Sequence, residues 1–123
     1  MHRTVLQYLD DILEAARNIG EDTEGLSYTE FIADRRRRDA VVRNFEIIGE
    51  ATKKLPDDLK IRYPSVAWKQ VAGLRDVIAH GYFHIDYEIL WGIITNTLPK
   101  FKTEVIKIRK NEQQKEKESE KQK

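Results

Sequence analysis

The stretch Leu74-Arg-Asp-Val-Ile-Ala-His-Gly-Tyr82 brings Arg75, Asp76, His80 and Tyr82 together at an expected helix end, just before a loop. Helix ends and loops are where side chains can reach a ligand without giving up packing. An imidazole such as that of His80 titrates near neutral pH and can take or give a proton. A guanidinium such as that of Arg75 offers a rigid fork of donors to phosphate oxygens. The pair suits a phosphodiester that carries its own nucleophile, as RNA does in its 2′-hydroxyl. Cleavage there needs proton transfer and stabilisation of a more negative phosphorane. General acid–base catalysis supplies about 10²- to 10⁴-fold, and a preorganised charge clamp adds a similar factor. One arginine and one histidine are therefore a minimal metal-free site, and two symmetry-related pairs a better one.

Spacing sets conditions on that chemistry. Asp76 and His80 are four residues apart, so a continuous helix would place them on one face, where the carboxylate can orient and charge the imidazole. Arg75 and His80 are five apart, which leaves them about 140° apart around a regular helix. They converge on one ligand only if the helix loosens near Ala79-His80 or if a second protomer contributes its own pair; Gly81 favours loosening. Other roles fit the same residues. His80 could cap a helix C-terminus, where a cation is favoured. Asp76, His80 and His84 are spaced four and four, as metal ligands can be, but Gly81 and the neighbouring aromatics interrupt the helix that would present all three. No further ligand accompanies them, so no metal and no cofactor is expected. By spacing alone, the structural reading of Arg75 and His80 outweighs the catalytic one.

The elements that must position this stretch follow from apolar periodicity. Val5, Leu9, Ile12, Ala16 and Ile19 mark one face of a first helix, with Gly20 as its expected stop. Ser27-Tyr-Thr-Glu30 has capping-box spacing and opens a second, whose face runs through Val41, Phe45, Ile48, Thr52 and Leu55 and which bends or breaks in the polar segment Asp34–Asp39. Pro56 and Pro64 bracket a single helical turn. Ser65 is expected to cap a helix carrying Trp68, Val71, Leu74 and Ile78, ended by Gly81. Asp86 caps the last long helix, kinked at Pro99, with Ile89, Leu90, Ile93, Ile94, Leu98, Phe101, Val105 and Ile108 on its face. The expected fold is all-α: an antiparallel up-and-down bundle of four main helices plus a short one. Adjacent apolar pairs at Ile47-Ile48, Ile89-Leu90 and Ile93-Ile94 give some helices a second stripe, which predicts a homodimer.

At 123 residues the chain suits one domain, read as a bundle over residues 1–110 and a charged, frayed or disordered tail over 111–123. Residues 107–123 carry seven Lys/Arg against four Glu, a net +3 against +1 for the whole chain, so the remainder is −2. That distribution fits a solvated helix end better than a nucleic-acid tail. The chain has no cysteine, which excludes disulfides, thiolate metal sites and a cysteine nucleophile. Acidic residues interrupt the first segment where a signal peptide needs an apolar run, and no stretch approaches the roughly 18 apolar residues of a membrane span. A cytoplasmic location is expected.

Three segments, RRRRDAVVRNFEIIGEATKKLP (35–56), YPSVAWKQVAGLRDVIAHGYFHID (63–86) and EILWGIITNTLP (88–99), resemble the HepT branch of the HEPN superfamily. The pattern Arg, four residues, His, one residue, Tyr is short, but with Ile48-Gly49-Glu50-Ala51 and the Trp68 context it is specific. The resemblance implies a homodimer whose two motifs meet in an interface cleft. It also implies metal-independent endoribonuclease activity through Arg75 and His80, with Asp76 in support, used as the toxin of a type VII-like toxin–antitoxin pair. The implied partner is an MNT-type nucleotidyltransferase antitoxin that attaches AMP to the motif tyrosine, here Tyr82. Arg35, Arg36, Arg37 and Arg38 are candidates for a positive RNA path or for a solvated face paired with Asp34 and Asp39. Arg43 and Glu50, seven apart on one helix face, could support Arg75 or the dimer contact. Gly49 is expected to permit close helix approach, and Trp68 and Trp91 to be core. The alternative to an enzyme is a non-catalytic helical subunit that presents a site to its nucleotidyltransferase partner; a plain dimeric scaffold is a third possibility.

Overall fold

Thr4 and Gln7 cap each other's backbone N–H at the start of the first helix, α1 (Val5–Thr23). In this computed structural model, residues 3–80 and 84–121 are described, with the backbone alone at Arg75, Val77, Ala79 and His80. The helix runs through Gly20, the expected stop, to Thr23, and the chain turns at Gly25, whose φ of 74° suits glycine. A glycine inside a helix costs only about 1 kcal/mol, and continued burial of this face offsets it. The Ser27–Glu30 capping box opens α2 (Tyr28–Ala33) as expected. The polar segment breaks the helix at Asp34, whose carboxylate accepts from the Arg37 amide and starts α3 (Arg35–Lys54). Val41, Phe45, Ile48 and Thr52 form its buried face.

Pro56 and Pro64 confine α4 to Asp57–Arg62. The next expected helix is divided into α5 (Trp68–Ala72) and α6 (Leu74–Ile78). Ser65 does not cap it; Ala67 holds that position without a side-chain bond, and Gly73 separates the two pieces. The chain then leaves the helix. Ala79–His80 (β1) and His84–Ile85 (β2) form a two-residue antiparallel pair, Ala79 opposite Ile85 and His80 opposite His84. The Asp86 side chain accepts from the Glu88 and Ile89 amides and opens α7 (Tyr87–Gly92).

The kink before Pro99 is a widened π turn over Ile93–Thr97, followed by α8 (Leu98–Lys121). Proline has no N–H for the carbonyl four residues back and its ring crowds that carbonyl, so one wider turn absorbs the mismatch. The result is an all-α bundle in which α3 packs against α1, α5 and α6, and α8 against α1. Leu9, Ile12, Ile19, Phe45, Ile48, Leu90 and Val105 lie at its centre. Of the doubled apolar pairs, Ile48, Leu90 and Ile94 are buried, Ile47 and Ile93 are half-buried, and Ile89 is exposed. Among the described residues no helix is long and apolar enough to cross a membrane.

Where fraying was expected from residue 111, α8 continues to Lys121. Glu112 is buried there and accepts from Arg62 Nη2 at 2.5 Å and Tyr63 Oη at 2.8 Å. Arg109 binds Asp10 on α1 one turn earlier. Deleting residues 111–123 leaves Tyr63 and Arg62 without this acceptor, so urea denaturation should show a loss of about 1–3 kcal/mol. An unchanged midpoint would mean that the contact contributes nothing. Burial first, and then the bond to Glu112, raises the pKa of Tyr63. A raised folded pKa gives stability that is full below the free phenol value of about 10 and is lost as pH rises through the folded value. Unfolding midpoints above pH 10 should therefore fall less steeply in Tyr63→Phe than in the parent chain.

Candidate functional site

The motif straddles a change of backbone. Arg75 lies in α6 and His80 in β1, with the helix ending at Ile78 between them. The Asp86 amide donates to the Ile78 carbonyl at 2.6 Å, closing the base of the strand pair and fixing where the helix stops. The helical angle of Arg75 to His80 therefore does not apply: the chain leaves the helix before Ala79-His80, one of the two conditions that the spacing allowed. The same break removes the helical face on which Asp76 would have met His80. His84 is exposed on β2. Tyr82 and Gly81 lie outside the described residues.

Asp76 is exposed and lines a pocket of about 330 Å³ with Arg43, Glu46, Gly49, Glu50 and Lys53 of α3. Gly49 brings the helices together: a Cβ there would lie 3.4 Å from the Ala72 carbonyl oxygen and 3.7 Å from that of Val71. Close approach is thus its role, as expected. Arg43 and Glu50 do share a face, and it is the face turned to the Asp76 pocket. Each has a helical neighbour of opposite charge, Arg43 with Glu46 and Lys53 with Glu50, both at 3.7 Å. Exposed pairs at that distance contribute under about 1 kcal/mol and leave the charges available. The pocket mixes both signs and is no simple phosphate trough.

The four consecutive arginines separate by environment. Arg37 bonds the Asp34 carboxylate at 3.0 Å and the Asp22 carbonyl at 2.8 Å, tying the start of α3 to the end of α1. Arg38 is half-buried, with its guanidinium 5.3 Å from the Tyr87 ring centre. Arg35 and Arg36 are exposed. Trp68 is buried, donating to the Tyr63 carbonyl at 3.0 Å, and Trp91 packs on Phe31 with ring centres 5.1 Å apart. Trp68 is a core residue, as expected, and Trp91 is half-buried against the core. Tyr87 is the neighbour that sequence reasoning missed; its partner Arg38 is far away in sequence, and only an aromatic directly after an N-cap aspartate hinted at it. Among the described residues, no group of three or more His, Asp or Glu side chains is placed to hold a metal ion.

Comparison with known proteins agrees with the family resemblance. The family model described as "Ribonuclease HepT-like" matches residues 12–108. A Methanocaldococcus jannaschii protein named "Putative RNase" is 45% identical over 103 residues, covering 84% of this chain and 94% of that protein. The "Probable ribonuclease HepT" of Thermococcus cleftensis is 38% identical over 110 residues, 89% of this chain and 100% of that protein. A Caldanaerobacter subterraneus protein, also named "Putative RNase", is 36% identical over 110 residues, 89% of this chain and 98% of its own. No solved structure matches the chain. Match length and identity together leave one assignment: this chain belongs to the HepT-like ribonuclease family.

Proposed function

We propose that the chain is a metal-independent endoribonuclease and the toxin of a toxin–antitoxin pair, acting in the cytoplasm as a homodimer. Arg75 binds the scissile phosphate and stabilises the charge that develops on it; His80 moves the proton of the 2′-hydroxyl or of the leaving oxygen. Asp76, exposed beside Arg75 at the rim of the α3 pocket, supports the electrostatics of the cleft. Arg35 and Arg36, exposed as Arg37 is but without its ties to Asp34 and Asp22, supply sequence-independent attraction to the RNA backbone. The partner is an MNT-type nucleotidyltransferase that attaches AMP to Tyr82. Ile47 on α3, Ile89 on α7 and Ile93 just after it keep apolar surface open to solvent, which suits contact with a second copy.

The observation that carries this reading is the break of the helix at Ile78, which frees His80 from the angle that would hold it away from Arg75 on a continuous helix. The decisive experiment expresses the chain alone and follows growth and RNA cleavage in EDTA, with His80→Ala and Arg75→Ala as controls. Growth arrest that persists in His80→Ala would favour a non-catalytic subunit that presents a site to its partner.

A further inference from the structure

We propose that Arg38, acting through Tyr87, is a positioning residue for the strand that carries His80; this rests on the ribonuclease reading above. Of the four consecutive arginines, Arg38 is the one that touches the element following the motif. Its guanidinium carbon sits 5.3 Å from the Tyr87 ring centre. The same ring meets Phe31, fully buried, edge-on at 6.4 Å and 69°. Tyr87 therefore contacts both the core and a cation. It directly follows Asp86, whose amide donates to Ile78 at 2.6 Å and whose carboxylate caps α7. The Ile78–Asp86 bond is the last fixed point before the pairing of Ala79 with Ile85 and His80 with His84. Arg38, Tyr87, Asp86 and Ile78 thus form a continuous path from α3 to the backbone of His80.

A second feature sets Arg38 apart. Its Nε is buried without a hydrogen-bond partner. A buried donor left unpaired opposes folding, and an apolar side chain of similar length would fill the space without that cost. What an apolar side chain lacks is the directional attraction of a cation to the face of an aromatic ring, which strengthens as water is excluded. The Arg38 Nε goes unpaired, and the contact its guanidinium makes instead is the one with the Tyr87 ring.

The test compares Arg38→Met, Tyr87→Leu, Arg38→Lys and Tyr87→Phe in steady-state cleavage of an RNA oligonucleotide. Hydrogen exchange at the Asp86 amide, which reads the bond to Ile78 directly, is followed in parallel. Misplacing a catalytic group slightly is enough for about a 10- to 100-fold loss of kcat, expected in Arg38→Met and Tyr87→Leu with KM within about twofold of the parent value. Both should exchange faster at Asp86, while Arg38→Lys and Tyr87→Phe, which keep the cation and the ring, stay near the parent in kcat and exchange. Unchanged kcat and exchange in Arg38→Met would overturn the proposal. So would a raised KM with kcat intact, which marks a direct phosphate contact instead. A parent chain that cleaves no RNA sinks the ribonuclease reading, and Asp86 exchange alone then decides whether Arg38 orients this segment.

Discussion

Replacing His80 with alanine is expected to lower RNA cleavage by about 10²- to 10⁴-fold, the range that a positioned acid–base group supplies. The same change should abolish growth arrest when the chain is expressed alone. Arg75→Ala should cost about 10²- to 10³-fold, as removal of one preorganised donor to a developing anion does elsewhere. The two losses should not add, because a phosphate that is not held gives the imidazole nothing to act on, and the double variant should resemble the worse single one. Cleavage by the parent chain should persist in EDTA. Circular dichroism and urea midpoints should remain those of the parent, since the catalytic role asks nothing of either side chain in the core. Retention of full cleavage by a folded His80→Ala chain would remove the histidine from the mechanism and leave the helix break at Ile78 as mere architecture.

What could be read in advance divides by the range of the interactions. The Ser27–Glu30 box and the Asp86 cap were legible because a side chain and the amides it bonds lie within three residues of each other. The buried stripe of α3 and the disturbance before Pro99 were legible for the same local reasons. Gly20 misled because local propensity is weak, and the burial that carries α1 on to Thr23 depends on the rest of the bundle. The anchoring of the end of α8 was hidden because Glu112 finds Arg62 across 50 positions, and no pattern in a charged tail announces a buried carboxylate. At the site, Arg75 and His80 stood out by type and family pattern, but the exact point at which the helix ends between them did not. Gly81 announced that the helix ends near the motif, but the Ile78–Asp86 bond and the two-residue strand pair that end it at Ile78 join segments on either side of the motif and have no local signal. Arg38 was visible only as one of four equivalent charges until Tyr87 distinguished it.

Co-expression with an MNT-type nucleotidyltransferase is expected to silence the chain through Tyr82 and to leave Tyr82→Phe toxic. In the transfer, the Tyr82 hydroxyl oxygen attacks the α-phosphorus of ATP, the bond to the bridging oxygen of the β-phosphate breaks, pyrophosphate leaves, and the phenolic proton is lost. The product carries a new negative charge close to the histidine. Two negative charges brought to about 7 Å at an effective dielectric constant near 20 repel by about 2 kcal/mol, roughly a thirtyfold loss of affinity for an RNA phosphate held that close to the adduct. The bulk of the adenylyl group adds steric exclusion to that figure, so the modified chain should be inactive rather than merely weakened. High salt screens the charge but not the bulk, which separates the two contributions: activity that returns at high salt would assign the silencing to electrostatics, and activity that stays absent would assign it to filling of the cleft. Intact-mass measurement should find one AMP adduct per modified chain and none on Tyr82→Phe. A silenced chain with no adduct would instead mean that the partner acts by covering the cleft, and Tyr82 would lose its regulatory role.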